Sequence, residues 1–255
     1  MLKERRCDLI LSELNKKNSV TINELISLTG SSRSTICRDI EELEAANRLC
    51  RVHGGIVKPA STTASHEPPF LIRQDMYLEE KQRIAAAAHD IIKPKETLLL
   101  GGGTTIYELA KVLSDISPLY VATNDLKSAI TLAEYHNVDL TVLGGSLRQS
   151  HYSLNGYFTE HMVGQMHADK AFIGIDAVDF HLGYMNFSTS EIQTNKLMLQ
   201  ASHQKIVLCD HSKFECIAFV SLCQLHEVNM LITGKEIKDS HLRQLKEAGV
   251  DVITV

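Results

Sequence analysis

The sequence predicts two structural units: a small helical unit at the N-terminus and a larger α/β unit with a largely parallel sheet. Three observations support this. The 255 residues exceed a typical single domain. Apolar residues at helical spacing recur from Cys7 to Leu43. From about residue 78, short apolar segments alternate with amphipathic ones. The predicted units are residues 1–57 and 78–255. Residues 58–77, which begin with a stretch rich in Pro, Ser, Thr and Ala, form the predicted linker.

Composition is typical of a globular protein, with 44% apolar and 22% charged residues. The net charge of −5 divides into +2 for residues 1–60 and −7 for the remainder, which makes the N-terminal part the candidate for a polyanionic partner. No apolar run approaches the roughly 18 residues that span a bilayer. The first ten residues include several charged ones where a signal peptide would have its apolar stretch, so we expect a cytoplasmic protein with no membrane contact. The six cysteines fit no zinc spacing, so we expect reduced thiols, no metal and no cofactor.

The first helix is predicted from apolar residues at positions i, i+3, i+4 and i+7. These are Cys7, Ile10, Leu11 and Leu14. They form one buried stripe, so the basic residues near both helix ends are expected on the surface. The basic residues are Arg5, Arg6, Lys16 and Lys17.

Two further helices follow. Thr21 and Glu24 have the spacing of a capping box that opens the second helix, and Gly30 ends it. Ser31 and Ser32 supply a turn and the N-cap of a third helix. The side chains of the third helix that are expected to face inward are Ile36, Ile40 and Leu43.

The face of the third helix opposite this apolar stripe carries Ser34 and Arg38. Small hydroxyl side chains allow close approach to a DNA groove, and arginine can bond guanine edges in the major groove. The alternative is a three-helix bundle with a solvated face. The candidate DNA-binding residues on this helix are Ser32, Arg33, Ser34, Thr35 and Arg38.

Residues 49–57 alternate polar and apolar side chains around Gly54 and Gly55, which predicts a short hairpin. Such a hairpin would project Arg51 and His53, which we expect to contact DNA phosphates or the minor groove. Together with the helices, it predicts a winged helix-turn-helix that binds double-stranded DNA.

The run SSRSTICRDI at 31–40, the Glu-Leu-Glu at 42–44 and LCRVHGG at 49–55 resemble the N-terminal signature of the DeoR/GlpR family of sugar-catabolism repressors. One departure concerns the recognition helix, where family members usually carry two adjacent arginines and this chain has Cys37 followed by Arg38. The departure leaves the operator sequence open.

The larger unit contains seven candidate strands, and several end in a polar or glycine-rich turn. Because ligands bind outside the carboxyl ends of parallel strands, we expect these turns to converge on one crevice. The strands are 97–100, 119–122, 140–143, 171–175, 205–209, 230–232 and 250–255.

The turn Gly101–Thr105 offers backbone N–H groups, hydroxyls and a helix start, a combination suited to a phosphate. Arg148 and Lys213 would add positive charge, and polar side chains after other strands would bond sugar hydroxyls. The alternative for the glycines is a tight strand-to-helix connection. The candidate effector-binding residues are Gly102, Gly103, Thr104, Thr105, Thr123, Asn124, Asp125, Gly145, Arg148, Asp176, Glu191 and Lys213.

The family resemblance extends over the rest of the chain, and the family's effector domain is similar to ribose-5-phosphate isomerase and coenzyme A transferases. It implies a phosphorylated sugar as the effector. Glycines at 101 and 102 replace the usual Asp-Ser, and Leu197 replaces a basic residue. The landmarks are Phe70, Arg73, Lys81, Ile84-Ala85, Gly103–Thr105, Thr123-Asn124, Leu143–Gly145, Arg148, Asp169–Gly174, Glu191, Lys196, Met198, Asp210 and Ser212–Phe214.

A rival function is an isomerase or transferase with Asp176 or Glu191 as general base and Lys213 stabilising an enediolate. A non-specific architectural DNA binder is a third possibility, which the acidic larger unit disfavours. We expect a non-enzymatic repressor, a homo-oligomer of two or four chains, that a sugar phosphate releases from operator DNA. The sugar and the regulated genes stay open.

Overall fold

The computed structural model describes residues 2–17, 19–46, 48–52, 55–57 and 67–255. These residues form two compact units. The first holds the described residues up to Val57 together with Leu71–Met76, and the second holds Glu67–Phe70 and Tyr77–Val255.

The N-terminal unit is a helical bundle with a small antiparallel sheet of order β1-β3-β2. Its core is built from aliphatic side chains such as Ile10, Leu25, Ile36 and Ile56, each fully buried. The elements are α1 (Lys3–Lys17), β1 (Ser19–Thr21), α2 (Ile22–Thr29), α3 (Arg33–Ala45), β2 (Cys50–Val52) and β3 (Gly55–Val57).

The predicted helix caps are confirmed. The Thr21 side chain accepts a hydrogen bond from the N–H of Glu24, and the Glu24 carboxylate accepts one from the N–H of Thr21. Gly30 adopts the left-handed conformation and ends α2, and Ser32 caps α3 by accepting a bond from the N–H of Thr35. These caps fix the turn between α2 and α3.

Two features of the N-terminal unit differ from the sequence-based expectation. Arg6 is buried, not exposed, because its guanidinium makes a two-pronged ion pair with the buried carboxylate of Asp39 on α3. The strand β1 was not predicted, and it pairs with β3. Gly55 is the first residue of β3, where a Cβ would lie 2.5 Å from the carbonyl oxygen of Val20, so this close approach requires a glycine.

The second unit is built on a seven-stranded parallel sheet of order β15-β14-β12-β9-β4-β5-β6, which confirms the predicted α/β class. All seven strands predicted from the sequence are in it, with ends shifted by up to three residues. They are β4 (Thr97–Leu100), β5 (Leu119–Thr123), β6 (Val138–Val142), β9 (Ala168–Gly174), β12 (Ser202–Leu208), β14 (Met230–Thr233) and β15 (Asp251–Thr254).

Helices cover both faces of this sheet. Alternate side chains of one strand enter two different cores: Leu99 faces one, and Leu98 and Leu100 face the other. Helices α5, α6 and α7 pack into the second core, and α8, α9 and α10 pack into the first. These helices are α5 (Leu78–Asp90), α6 (Thr104–Ala110), α7 (Leu126–Leu132), α8 (Tyr157–Val163), α9 (Thr189–Gln200) and α10 (Asp239–Glu247); α4 (Phe70–Asp75) precedes them in the chain, and most of it is grouped with the N-terminal unit.

Two small antiparallel sheets, absent from the sequence-based expectation, lie outside the main sheet. One is the hairpin of β7 (Ser146–Arg148) and β8 (Ser153–Asn155). The other joins β10 (Ala177–Asp179), β11 (Gly183–Asn186) and β13 (Val220–Cys223).

The predicted linker, residues 58–77, contains helix α4, and its first nine residues lie outside the described residues. No helix among the described residues is long and apolar enough to cross a membrane.

Candidate functional site

The outward face of α3 carries exposed polar side chains in the described structure. Arg33, Ser34 and Arg38 are exposed, while Thr35 is half-buried. The hydroxyl of Ser32 lies 3.0 Å from that of Ser34 and 2.9 Å from that of Thr35. The opposite face is anchored in the core. The arginines on this face are therefore accessible to a partner.

The predicted hairpin is present as β2 and β3, with Arg51 opposite Ile56. The side chain of Arg51 and the whole of His53 lie outside the described residues. Their roles in binding DNA therefore remain predictions.

The strand ends of the main sheet bring several predicted effector residues together. A Cβ placed on Gly102 would lie 3.2 Å from the Cβ of Ser153 and 3.7 Å from Oδ2 of Asp125. Gly103 has a φ of 134° and lies against Gly174 at the end of β9. The glycines at 102 and 103 thus let three chain segments meet at the carboxyl ends of β4, β5 and β9.

Thr104 and Thr105 begin α6, and both are buried. This helix has seven residues, and its N-cap Gly103 makes no side-chain capping bond. The backbone N–H of Gly103 instead donates a hydrogen bond to the carboxylate of Asp125. This bond partly offsets the rise in the pKa of Asp125 that burial causes. A phosphate entering this turn would therefore meet a carboxylate as well as N–H groups.

Thr123, Asn124 and Asp125 are fully buried after β5. The Thr123 hydroxyl accepts a bond from the N–H of Asp125. Asn124 donates to the Leu154 carbonyl at 2.9 Å, and its buried Oδ1 accepts no hydrogen bond from the described residues. That oxygen is an available acceptor for a ligand hydroxyl.

Asp125 caps α7 by accepting a bond from the N–H of Ser128 at 2.7 Å. Burial raises the pKa of Asp125 to about 6, against the opposing effect of the N–H groups of Ser128, Gly103 and Lys127. The carboxyl group thus titrates close to neutral pH. A carboxyl group with such a displaced pKa at a strand end is a candidate functional residue.

Arg148, at the end of β7, lies between two carboxylates. Its Nη1 is 2.6 Å from Oε2 of Glu67 and 3.2 Å from Oε2 of Glu191. Burial lowers the pKa of Arg148, but the attraction of Glu191 and Glu67 outweighs this and the net pKa is raised. Its positive charge is therefore balanced in this structure.

Three residues of this network were missed by sequence reasoning: Glu67, Ser153 and Asn155. Ser153 donates to Oε1 of Glu191 at 2.6 Å, and Asn155 donates to the Ser153 hydroxyl at 3.0 Å. Asn124 donates in turn to Asn155. The signal in the sequence was the polar stretch after Arg148, but its hairpin was not predicted and so its side chains could not be placed.

Asp176 is buried after β9 and is held by the β10–β11 hairpin. Its Oδ2 accepts a bond from the N–H of Phe187 at 3.0 Å, and the side-chain amide of Asn186 lies 3.3 Å away. Through these bonds Asp176 stabilises the end of the β10–β11 hairpin, in addition to any contact with a ligand.

Lys213 belongs to a second charged group of the same sheet edge. It lies in a 3-10 turn, His211–Glu215. Burial raises the pKa of Asp210, but the charges of Lys213 and Lys81 and the hydrogen bond from Ser212 together outweigh this, and the net pKa is lowered. Lys81 lies 3.9 Å from Asp210, and Glu80 accepts from the N–H of His211 at 2.8 Å. The positive charge of Lys213 thus acts on Asp210 in this structure.

Gly145 has a packing reason to be glycine. A Cβ there would lie 2.1 Å from the hydroxyl of Thr159 and 2.8 Å from the carbonyl oxygen of Asn155. The Thr159 hydroxyl donates to the carbonyl of Gly144 at 2.6 Å, which fixes α8 against this turn.

Within the described ranges, no group of three His, Cys, Asp or Glu side chains has the arrangement to hold a metal ion.

Comparison with known proteins supplies the family. The DeoR C terminal sensor domain matches residues 77–235, and the DeoR-like helix-turn-helix domain matches residues 6–62. Ribose 5-phosphate isomerase from Plasmodium falciparum is a partial structural match, with a TM-score of 0.39 and 16% identity over 54% of this chain and 52% of that one.

Curated relatives match along nearly the whole chain. The lactose phosphotransferase system repressor of Staphylococcus epidermidis is 32% identical over 256 residues, covering 100% of both chains. The transcriptional repressor GlcR of Bacillus subtilis is 29% identical and covers 99% of this chain and 96% of its own. The glycerol-3-phosphate regulon repressor of Haemophilus influenzae is 28% identical, covering 93% and 91%. Because the sensor model spans more than half of the chain and a relative above 30% identity covers it completely, the chain belongs to the DeoR family of transcriptional regulators.

Proposed function

We propose that this protein is a repressor of a carbohydrate operon, that α3 reads operator DNA, and that a phosphorylated sugar bound by the second unit releases it. The observation that carries the DNA-binding half is the exposed polar face of α3, with Arg33 and Arg38 accessible and the opposite face fixed in the core. Relatives named as repressors of a lactose phosphotransferase system and a glycerol-3-phosphate regulon support the carbohydrate context.

The proposed effector site is the polar network around Gly102, Asn124, Arg148 and Glu191. It combines a glycine turn packed against Ser153 and Asp125, a buried acceptor at Asn124 and a guanidinium. Lys213 would act from the neighbouring charged group. A phosphate would be recognised by Arg148 and the backbone N–H groups, and the sugar hydroxyls by the amide and carboxylate side chains.

We also propose that the second unit binds its effector without turning it over. The two carboxylates considered as general bases are both engaged, since Glu191 pairs with Arg148 and Asp176 accepts from the N–H of Phe187. A symmetric homo-oligomer acting in the cytoplasm fits a reader of paired half-sites. We place the domain boundaries at 1–57 and 78–255, with the connecting residues between them.

The DNA-binding proposal is tested by selecting bound duplexes from a random-sequence pool with the full-length protein. Arg38→Ala is then expected to lower the affinity for the selected duplex by about 1–3 kcal/mol while leaving the affinity for scrambled DNA nearly unchanged, because a base contact carries the discrimination. Arg5→Ala, which removes an exposed arginine from α1, is the matched control. An Arg38→Ala protein that still discriminates as the parent does contradicts the assignment of α3.

The effector proposal is tested by calorimetry with matched pairs of ligands, such as glucose 6-phosphate against glucose and ribose 5-phosphate against ribose. We expect at least one phosphorylated member of such a panel to bind and its free sugar to show no measurable heat, because the site supplies Arg148 and backbone N–H groups for the phosphate. Equal affinity for a free sugar and its phosphate would refute phosphate recognition.

A further inference from the structure

A four-residue segment, residues 67–70, ends at the first residue of α4 and is held against the sensor unit; we call it the strap. Glu67 is buried, and its Oε2 lies 2.6 Å from Nη1 of Arg148 and 3.4 Å from Nε2 of His151. At the other end, the N–H of Phe70 donates to the carbonyl of Ser150 at 2.8 Å. Both ends of the strap are thus held by the loop between β7 and β8.

The Phe70 ring adds an apolar anchor. It is completely buried, with its ring centroid 5.7 Å from that of Tyr107 and 5.6 Å from that of Tyr152, both in edge-on geometry. Between the two anchors are Pro68 and Pro69, whose rings restrict the backbone. The segment is therefore stiff, and a displacement at Glu67 is transmitted to Phe70.

The position of the strap in the chain gives it a second connection. The six residues bonded directly after it, Leu71–Met76, are grouped with the N-terminal unit, while the strap itself is grouped with the sensor unit. The family model of the sensor begins only at residue 77. The peptide bond between Phe70 and Leu71 is therefore one of the points at which the chain passes from the sensor unit to the DNA-binding unit.

Arg148 is the group that the strap shares with the proposed effector site. One of its two carboxylate partners, Glu67, is on the strap, and the other, Glu191, is on α9 and accepts a bond from Ser153 beside Gly102. A phosphate bound to Arg148 would bring a third anion to one guanidinium. Repulsion among three anions is relieved by displacing the partner that is least fixed. Glu191 stands on a twelve-residue helix and also accepts a bond from the Ser153 hydroxyl, so Glu67 is the partner expected to move.

We propose that the Glu67–Arg148 pair couples effector occupancy to DNA binding: an anionic effector that takes Arg148 displaces Glu67, frees the strap and thereby changes the affinity of the N-terminal unit for DNA. The inference rests on the proposed function, and it names the contact that transmits the signal. Glu67 is a positioning residue in this scheme. It does not need to touch the effector.

Hydrogen exchange on the full-length protein reports directly on the strap. Phe70 carries the first amide after two prolines, and its protection depends on the bond to Ser150. Inorganic phosphate and glucose 6-phosphate are the probes. Saturating amounts of a probe that binds are expected to speed exchange at Phe70 several-fold. Binding without any change at Phe70 overturns the proposal.

Two matched variants separate coupling from simple charge removal. Glu67→Gln and Glu191→Gln each take one carboxylate from Arg148. Glu67→Gln is expected to raise the exchange rate at Phe70 without any probe, and Glu191→Gln is expected to leave that rate close to the parent's. Equal effects of the two variants, or no effect of Glu67→Gln in a folded protein, contradict the proposal. The probe titration of the unmodified protein decides the question if Glu67→Gln does not fold.

The decisive quantity is the ratio of probe affinities measured with and without the selected DNA duplex. In an allosteric protein this ratio is roughly 5- to 150-fold. Glu67→Gln is expected to bring it towards one, whereas an anchor with no part in coupling would change both affinities equally and leave the ratio unaltered. If neither probe binds the parent, the effector class is wrong. In that case the affinity for the selected duplex tests the strap. Glu67→Gln is expected to change this affinity more than Glu191→Gln does, and equal effects of the two variants overturn the proposal.

Discussion

Asp125 is a fully buried carboxylate beside the glycine turn, and its position has an energetic cost. Burial favours the neutral form, and its pKa rises to about 6. For an acid whose pKa is raised on folding, the stabilisation is complete below the unfolded-state pKa and is lost as pH rises through the folded-state pKa. The free energy of unfolding therefore falls as the pH rises from about 4 to about 6. Above it, the ionised group opposes folding.

Asp125→Asn is expected to stabilise the sensor unit at neutral pH. Asparagine caps a helix as well as aspartate does, so the bond to Ser128 is kept while the buried charge is removed. The gain has an upper bound of about 3 kcal/mol at pH 7, from a pKa displacement of roughly two units. Urea unfolding of parent and variant at a series of pH values measures it. A gain that persists unchanged at pH 4 would show that charge is not its cause.

At this scale the sequence predicted some site residues and could not place others. Asp125 and Asn124 follow a strand directly, so the carboxyl-end rule located them. Glu67 and Ser153 depend on contacts with residues far along the chain, 81 positions away for Glu67 and 38 for Ser153. Arg6 was misplaced for the same reason, since its partner Asp39 is 33 residues away. Spacing patterns report only local neighbours.

Among the elements, the β7–β8 hairpin and α8 depend on the contact at Gly145. The sequence suggested an effector contact for this glycine, and the structure gives it a close approach to Thr159 and the backbone of Asn155. Because Asn155 belongs to the polar network around Ser153, the packing of α8 also positions side chains of the proposed effector site.

Gly145→Ala is expected to destabilise the sensor unit clearly, while Gly144→Ala is expected to be nearly neutral. A Cβ at 145 would meet backbone atoms that cannot move independently, whereas a Cβ at 144 would have no atom within 4 Å. The two neighbouring substitutions add the same methyl group and differ only in the space available. Thermal unfolding compares them. Similar melting temperatures for the two variants would contradict the packing explanation.

The elements also show which parts of the fold a sequence reveals. The inner strands of the main sheet carry runs of apolar side chains because helices cover both faces, so each was recognisable. The strands of the β7–β8 hairpin and of the β10–β11–β13 sheet are three or four residues long and mix polar with apolar side chains, so no apolar segment marks them. The elements that carry Arg148 and Ser153 belong to this second class. The main sheet was therefore predictable, and much of the site's detail was not.

For the whole molecule, the question is whether sensing and DNA reading can be separated by substitution. An effector shifts binding only through its different affinity for the free and DNA-bound states. A substitution that weakens the effector site alone must leave operator affinity intact. That requirement distinguishes a sensor from a unit that only holds DNA-binding heads together.

Lys213→Ala is expected to give a protein that binds the selected duplex normally but resists release. A tenfold loss of effector affinity, about 1.4 kcal/mol, would move the release curve by one log unit in effector concentration. Fluorescence anisotropy of the labelled duplex against sugar phosphates measures this, after circular dichroism has shown native folding. Lys246→Ala on α10, an exposed lysine, is the control. A release curve that superimposes on the parent's, or lost duplex binding, counts against the role of Lys213.

The strand order of the main sheet has a consequence during protein synthesis. β4 pairs with β5, which follows shortly after it, but its other neighbour is β9, about 70 residues later in the chain. On the ribosome, the N-terminal unit and the β4–β6 half of the sheet emerge while the backbone edge of β4 that pairs with β9 is still open. Unpaired strand edges of this kind promote aggregation. Chains that end between β6 and β9 are therefore expected to aggregate.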